Sequence, residues 1–144
     1  MTAAGPQVGV GAVVVHRGRV LLVQRGRPPG AGLWAIPGGR QRLGETLQQA
    51  AEREILEETG VTIRATVPVY TCEHIERDDL GALRYHYVIV DLAADYLSGE
   101  PQAGDDASAA AWVTWHELAA LPLNASSRTA LAILFPAEAG PYLP

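Results

Sequence analysis

Residues 39–61 (GRQRLGETLQQAAEREILEETGV) are the part of the sequence that most constrains the fold. Residues 47–58 contain no Gly or Pro and only one β-branched residue, a composition that favours an α-helix. Thr46 and Gln49 have the spacing of a capping box at its start, and Gly60 stands where a left-handed residue ends many helices. The sequence therefore predicts one helix with defined ends.

Three glutamates share one face of this predicted helix. Glu54, Glu57 and Glu58, which we call the glutamate stripe, are spaced i, i+3 and i+4 and so are neighbours on the helix surface. Like charges at this spacing destabilise a helix, and Arg53, four residues before Glu57, offers local relief. Two interpretations are open: a solvated acidic face, or an oxygen-rich site of the kind that suits Mg²⁺ or Mn²⁺.

The spacing of the charged and glycine residues favours the second interpretation. Gly39 is followed after five residues by Glu45, and after seven more by the run REILEETGV at residues 53–61. This pattern resembles the Nudix hydrolase signature at every fixed position. A Val-rich segment before it, the GLWAIPGG run into it and an acidic loop before a late Trp extend the resemblance over residues 9–121.

The resemblance implies both a fold and a chemistry. The implied fold is an α/β/α sandwich with a mixed β-sheet between helices, and the implied activity is hydrolysis of a diphosphate bond with Mg²⁺ or Mn²⁺ as cofactor. The glutamate stripe supplies metal ligands, and a main-chain carbonyl group of Gly38 or Gly39, with Gly39 as our choice, completes them. Glu57 and Glu58 are also catalytic candidates, together with Arg53, which would orient the glutamates with support from Glu45.

The general base has a second candidate segment outside the helix. In some Nudix proteins the base belongs to the helix, and in others to an acidic residue on a loop before a late Trp-containing strand. Asp105 and Asp106 lie seven and six residues before Trp112, and Glu100 is on the same loop. Adjacent Asp residues in a Gly-rich loop are also common turn formers. We take Asp106 as the loop candidate and keep the helix glutamates as the alternative.

Arg25 and Arg27 are candidates for binding phosphate. All 11 basic residues of the chain are Arg, so only guanidinium groups are available to fork onto phosphate oxygens. The alternative is that both are solvated loop residues. Tyr85, His86 and Tyr87 could stack on a base, or they could be ordinary strand side chains.

The remaining pattern predicts strands on both sides of the helix. Apolar and β-branched runs predict strands over residues 8–16, 19–24, 61–70 and 83–92 and a short one at 112–113. Residues 71–76 either continue the third strand or pair beside it. Residues 94–110 are a predicted loop, and residues 114–121 and 127–135 are predicted helices. Gly9 and Gly11 weaken the first strand unless another group approaches its backbone closely.

Composition narrows the class of protein. The length of 144 residues predicts a single Nudix domain over residues 1–144. A net charge of −5 argues against an electrostatic grip on duplex nucleic acid, and no apolar run is long enough to span a membrane. Cys72 is the one cysteine, which leaves no disulfide framework, and the N-terminus has no secretory pattern. We therefore expect a cytoplasmic protein that acts on small molecules.

The signature leaves the substrate open. Our first choice is ADP-ribose or another nucleotide sugar, and the runner-up is a nucleoside triphosphate cleaved to monophosphate and pyrophosphate in nucleotide-pool sanitation. A third possibility, from a different class, is a nucleotide-binding module without turnover. The apolar C-terminal helix could provide the interface of a homodimer.

Overall fold

The computed structural model describes residues 5–28 and 30–143. That part of the chain forms seven strands, two α-helices and two short 3₁₀ helices. No helix within it is long and apolar enough to cross a membrane. The strands are β1 (Gln7–His16), β2 (Arg19–Arg25), β3 (Trp34–Ala35), β4 (Gly38–Arg40), β5 (Thr62–Arg77), β6 (Leu83–Ser98) and β7 (Ala107–Thr114). The α-helices are α1 (Leu47–Thr59) and α2 (Ala125–Leu134), and the 3₁₀ helices are His116–Ala120 and Gly140–Tyr142.

The strands form a mixed sheet, as expected. Its main order is β3-β2-β1-β6-β5, while β4 pairs with β1 and β7 pairs with β2. The pairing of β1 with β6 is parallel, and the other pairings are antiparallel. Because β1 is central, it lies beside both the strand that enters α1 and the long β5–β6 hairpin.

Two apolar clusters place helices on opposite sides of this sheet. One lies under α1, where Ala51 and Ile55 pack against alternate residues of β1 such as Val10 and Val14. The other joins β2 and β7 to the C-terminal part of the chain through Leu22, Val113 and Leu131. These layers confirm the predicted α/β/α arrangement.

The predicted ends of α1 are confirmed. The side chain of Thr46 accepts a hydrogen bond from the backbone of Gln49, whose own side chain accepts one from the backbone of Thr46. Gly60 has φ of 72° and closes the helix through its N–H bond to the carbonyl of Leu56. Both ends depend on local contacts, which a sequence pattern can specify.

The predicted loop over residues 94–110 is wrong at both ends. Residues 94–98 belong to β6, where Ala94 pairs with Ala65 and Tyr96 with Ile63, and residues 107–110 begin β7. Alanine has low strand propensity, and pairing with β5 and β2 overrides it. Residues 71–76 continue β5, and Pro68 lies at an irregularity of pairing on this edge strand. The residues from His116 to Ala120 form a 3₁₀ helix.

Candidate active site

The glutamate stripe lies in an open cleft of about 1640 Å³ over one face of the sheet. Side chains of a strand alternate between its two faces. On β1, Val10, Ala12 and Val14 therefore point into the core under α1, whereas Gly9 and Gly11 face the cleft. The missing side chains on β1 leave a floor of bare backbone beside the acidic side of α1.

Arg53 ties the stripe together. Its Nε donates to Glu45 Oε2 at 2.6 Å and its Nη2 to Glu45 Oε1 at 2.9 Å, so both oxygens of one carboxylate are engaged. Its Nη1 donates to Glu54 Oε1 at 2.6 Å and reaches Glu57 Oε2 at 3.4 Å. A planar guanidinium can serve several acceptors in fixed directions, so it holds these carboxylates in one arrangement.

The contact between Arg53 and Glu45 also acts on their protonation. The hydrogen bond from Arg53 is the main reason that the pKa of Glu45 falls to about 2, and the backbone N–H of Arg42 adds to it. The same bond raises the pKa of Arg53. Arg53 and Glu45 therefore stay charged wherever the protein is folded near neutral pH.

Glu58 has the opposite environment. Its pKa is raised to about 7, mainly by burial and in smaller part by the negative charges of Glu54 and Asp105. The N–H of Gly38 donates to Glu58 Oε2 at 3.3 Å and, with the charge of Arg25, opposes that rise. On balance, burial and the neighbouring negative charges outweigh these two contributions and disfavour the ionised form of Glu58.

Two glycines bring main chain against the acidic helix. A Cβ on Gly39 would overlap the carboxylate of Glu54, and a Cβ on Gly38 would overlap the carbonyl oxygen of Val10. Only glycine fits at either position without movement of its neighbours. The predicted approach of bare backbone to the stripe is therefore present, and Gly38 also contributes an N–H donor that the sequence did not indicate.

The stripe suits a divalent cation, although its side chains do not form a finished cage. Among the described residues, no three His, Cys, Asp or Glu side chains converge as a ready metal site. Arg53 donates a hydrogen bond to the carboxylate of Glu54, and the N–H of Gly38 donates one to the carboxylate of Glu58. Burial, together with the negative charges of Glu54 and Asp105, raises the pKa of Glu58, and a bound cation would favour its ionised form. An all-oxygen donor set matches Mg²⁺ or Mn²⁺.

The predicted arginines and loop acids also line the cleft. Arg25 ends β2, and its charge acts on Glu58. Arg27 Nε lies 3.1 Å from Asp106 Oδ1 in an exposed ion pair. Asp105 lies on the same loop, in a left-handed conformation with φ of 51°. Glu100, the third loop candidate, does not reach the cleft lining within the part of the chain described here.

The aromatic residues of β6 divide between the two faces of the sheet. Tyr85 and Tyr87 line the cleft and stack on each other, with ring centroids 6.2 Å apart. His86 points away from them and pairs its Nε2 with Glu73 Oε2 at 2.9 Å. The two tyrosines, but not His86, are therefore placed where a base could lie.

Sequence reasoning missed Asp91. This residue is 7% exposed and lies on the cleft face of β6, directly opposite Gly11. A lone Asp near the end of the apolar run YVIVDL, read together with glycines in a facing strand, was the available signal. The parallel pairing of β1 with β6 was needed to join the two, and a sequence pattern does not supply that register.

Comparison with known proteins decides the family. The sequence pattern of the NUDIX domain matches residues 5–133, most of the chain. The chain belongs to the Nudix hydrolase family. Its fold is shared with a MutT NUDIX hydrolase from Burkholderia pseudomallei, which is 37% identical, with a TM-score of 0.76 over 88% of this chain and 96% of that one. It is therefore an enzyme of the pyrophosphatase type, and Nudix hydrolases use divalent metal ions.

Two curated Nudix relatives differ in the substrate that their names state. An ADP-ribose pyrophosphatase from Methanocaldococcus jannaschii is 34% identical over 83% of this chain and 68% of its own length. An oxidized purine nucleoside triphosphate hydrolase from Danio rerio is 38% identical over 65% of this chain and 58% of its own length. Family membership therefore leaves the substrate of this chain open.

Proposed function

We propose that this Nudix hydrolase cleaves the diphosphate bond of a nucleoside diphosphate linked to another moiety, with ADP-ribose or another nucleotide sugar as its first substrate. The observation that carries the proposal is the glutamate stripe, which borders the same cleft as Arg25 and the bare backbone of β1. Cleavage releases a nucleoside monophosphate and, from ADP-ribose, a sugar phosphate. We take residues 1–144 as one domain for this activity.

In this proposal the stripe and the main-chain carbonyl group of Gly39 hold Mg²⁺ or Mn²⁺. The bound cation would neutralise phosphoryl oxygens and lower the pKa of an attacking water. Arg53 keeps the carboxylates in orientation through its bonds to Glu45 and Glu54. Glu57 is the most exposed acid of the stripe, with its side chain 38% exposed, and would act on water as well as on metal.

The phosphate contacts and the general base complete the proposed chemistry. Arg25 and Arg27 would fork onto phosphate oxygens, since both line the cleft and carry permanent charge. Asp106 would act as the loop base. Its ion pair with Arg27 is exposed, so substrate phosphate could take over the guanidinium and leave the carboxylate available to water.

A second candidate substrate is a nucleoside triphosphate, cleaved to monophosphate and pyrophosphate. It is supported by the similarity to the Danio rerio hydrolase, whose name states an oxidized purine nucleoside triphosphate. The same metal and arginine groups would serve, because the reacting bond is again a phosphoric anhydride. The two candidate substrates would use the same glutamate stripe and would differ only in the leaving group.

The deciding experiment is a product assay with Mg²⁺ at pH 8 over ADP-ribose, nucleotide sugars, dinucleoside polyphosphates and nucleoside triphosphates. AMP from ADP-ribose, with triphosphates untouched, is the expected result. Pyrophosphate from a triphosphate would move the protein to the second candidate. Excess EDTA should abolish turnover, and Mg²⁺ or Mn²⁺ should restore it. If none of these compounds is hydrolysed but nucleotides still raise the melting temperature, the protein binds nucleotides without turnover.

A further inference from the structure

One buried carboxylate of the cleft has no role in the chemistry proposed above. The side chain of Asp91 makes no hydrogen bond or ion pair with another residue in the described ranges, 5–28 and 30–143. Every fully buried polar side-chain atom in those ranges has a partner. The oxygens of Asp91 therefore keep the small remaining exposure of this residue, 7%, and the cleft is the space that they face.

The facing strand leaves room for this carboxylate. Gly11 of β1 is the partner of Asp91 in the parallel ladder. A Cβ on Gly11 would overlap Asp91 Oδ1 and would lie 3.0 Å from the carbonyl oxygen of Pro37. Gly9 pairs with Ile89 in the same ladder, and a Cβ there would make only an ordinary contact with Ile89, at 3.6 Å. At this part of the cleft floor, the side chains of Asp91 and Ile89 therefore lie against the backbone of β1, which has no side chains at Gly9 and Gly11.

The surroundings of Asp91 suit a base better than a phosphate group. Two residues of β5 line the same cleft: Tyr70 pairs with Asp91, and Cys72 pairs with Ile89. Burial raises the pKa of Asp91 to about 6, so the carboxylate is ionised at pH 8 and would repel phosphate. The cations proposed to hold phosphate, Arg25 and Arg27, come from the end of β2 and the segment after it, on the other side of β1.

We propose that Asp91 is a specificity-determining residue whose carboxylate accepts N–H groups from the amino-bearing edge of a purine base. The inference rests on the proposed function, in which the cleft binds a nucleotide, and it names the base and not the leaving group. An ionised carboxylate only accepts hydrogen bonds, so a carbonyl group facing it would place acceptor against acceptor. An amino group would satisfy a buried acceptor that otherwise stays unpaired at a cost.

The test compares nucleotides that differ by one amino group. Binding is measured by calorimetry with Mg²⁺ at pH 8 for AMP against purine riboside 5′-monophosphate and for GMP against IMP. The wild type should bind the amino-bearing member of at least one pair on the order of tenfold more tightly. Asp91→Ala should bring that ratio to about one. Asp91→Val, with a β-branched side chain suited to a strand, repeats the test if the alanine variant does not fold.

Asp95→Ala is the matched control. Asp95 lies on the same strand, its side chain is 56% exposed beside Arg64, and it is not part of the cleft lining. This variant should keep the wild-type ratio. A ratio that falls equally in both alanine variants would overturn the proposal, because it would then reflect strand or charge effects in general.

Three further outcomes would overturn the assignment. The first is equal affinity of the wild type for the two members of each pair. The second is a preference that survives Asp91→Ala. A change confined to the ratio of AMP to 2′-deoxy-AMP would mean that the carboxylate contacts ribose and not the base. Binding of inorganic pyrophosphate distinguishes a failure of the base assignment from a failure of the proposed function. If pyrophosphate binds with Mg²⁺ while neither nucleotide pair shows a preference, only the base assignment fails. If neither pyrophosphate nor any monophosphate binds, the proposed function fails too.

Discussion

Glu58 is a residue whose surroundings oppose its own charge. Its pKa is about 7 in the folded protein and 4.5 in its ordinary state, so the folded state holds the proton more tightly. Without metal, stability is therefore lost as pH rises from about 4.5 to about 7 and stays low above that range. The shift corresponds to roughly 3 kcal/mol. The charge that the proposed metal site needs is one that the fold alone disfavours.

Glu58→Gln should separate stability from activity. Its amide oxygen can still accept from Gly38, but the charge is gone. We expect a higher urea midpoint than wild type at pH 8, with the difference closing near pH 4, and a loss of turnover of several orders of magnitude. Glu57→Gln, at a more exposed position, should lose turnover with little change in stability. Glu138→Gln, an exposed residue outside the cleft, should change neither. Near wild-type turnover in both stripe variants would contradict the metal role.

At the scale of elements, backbone hydrogen bonds hold the loop before β7 to α1 and to the end of β2. The N–H of Gln102 donates to the carbonyl of Thr59 at 2.8 Å, and that of Gly104 donates to Glu58 at 2.9 Å. The N–H of Gly26 in turn donates to the carbonyl of Asp106 at 2.9 Å. The side chains of the loop acids can therefore be changed without releasing the loop from α1 or from β2.

Asp105→Asn and Asp106→Asn, made singly, should locate the general base. Asn tolerates the left-handed conformation of Asp105, so neither change should disturb the backbone. We expect Asp106→Asn to lower turnover about 10²- to 10⁴-fold, the usual contribution of a general base. Glu100→Gln on the same loop is the control and should keep the wild-type rate. If neither Asp variant slows turnover, the base belongs to α1.

The elements also show what the sequence could and could not predict. The ends of α1 and the approach of Gly39 to the stripe depend on neighbours within about 20 residues, and the signature specifies them. The extra length of β6, by contrast, depends on pairing with β5. Asp91 can be assigned to the cleft only from the parallel ladder, which pairs it with Gly11, 80 positions away in the sequence. Local chemistry could be predicted, whereas a site residue created by strand register could not.

At the scale of the whole molecule, the proposed metal site joins separate parts of the chain. The stripe belongs to α1, Gly39 to β4, and the charge of Arg25 arrives from β2. An unfolded chain has no such arrangement, so a cation that binds here binds the folded state alone. Binding must then raise the free energy of unfolding, by about 2.7 kcal/mol when the free cation is at 100 times its dissociation constant.

The melting temperature should therefore depend on Mg²⁺ even when no substrate is present. We expect differential scanning calorimetry at pH 8 to show a rise with MgCl₂ that saturates, and no such rise with NaCl at matched ionic strength, since simple screening acts on all charges alike. A double variant, Glu54→Gln with Glu58→Gln, loses two carboxylates of the stripe and should not respond to Mg²⁺. An equal response in the double variant would place the cation elsewhere. Because this measurement needs no turnover, it tests the metal site separately from the choice of substrate.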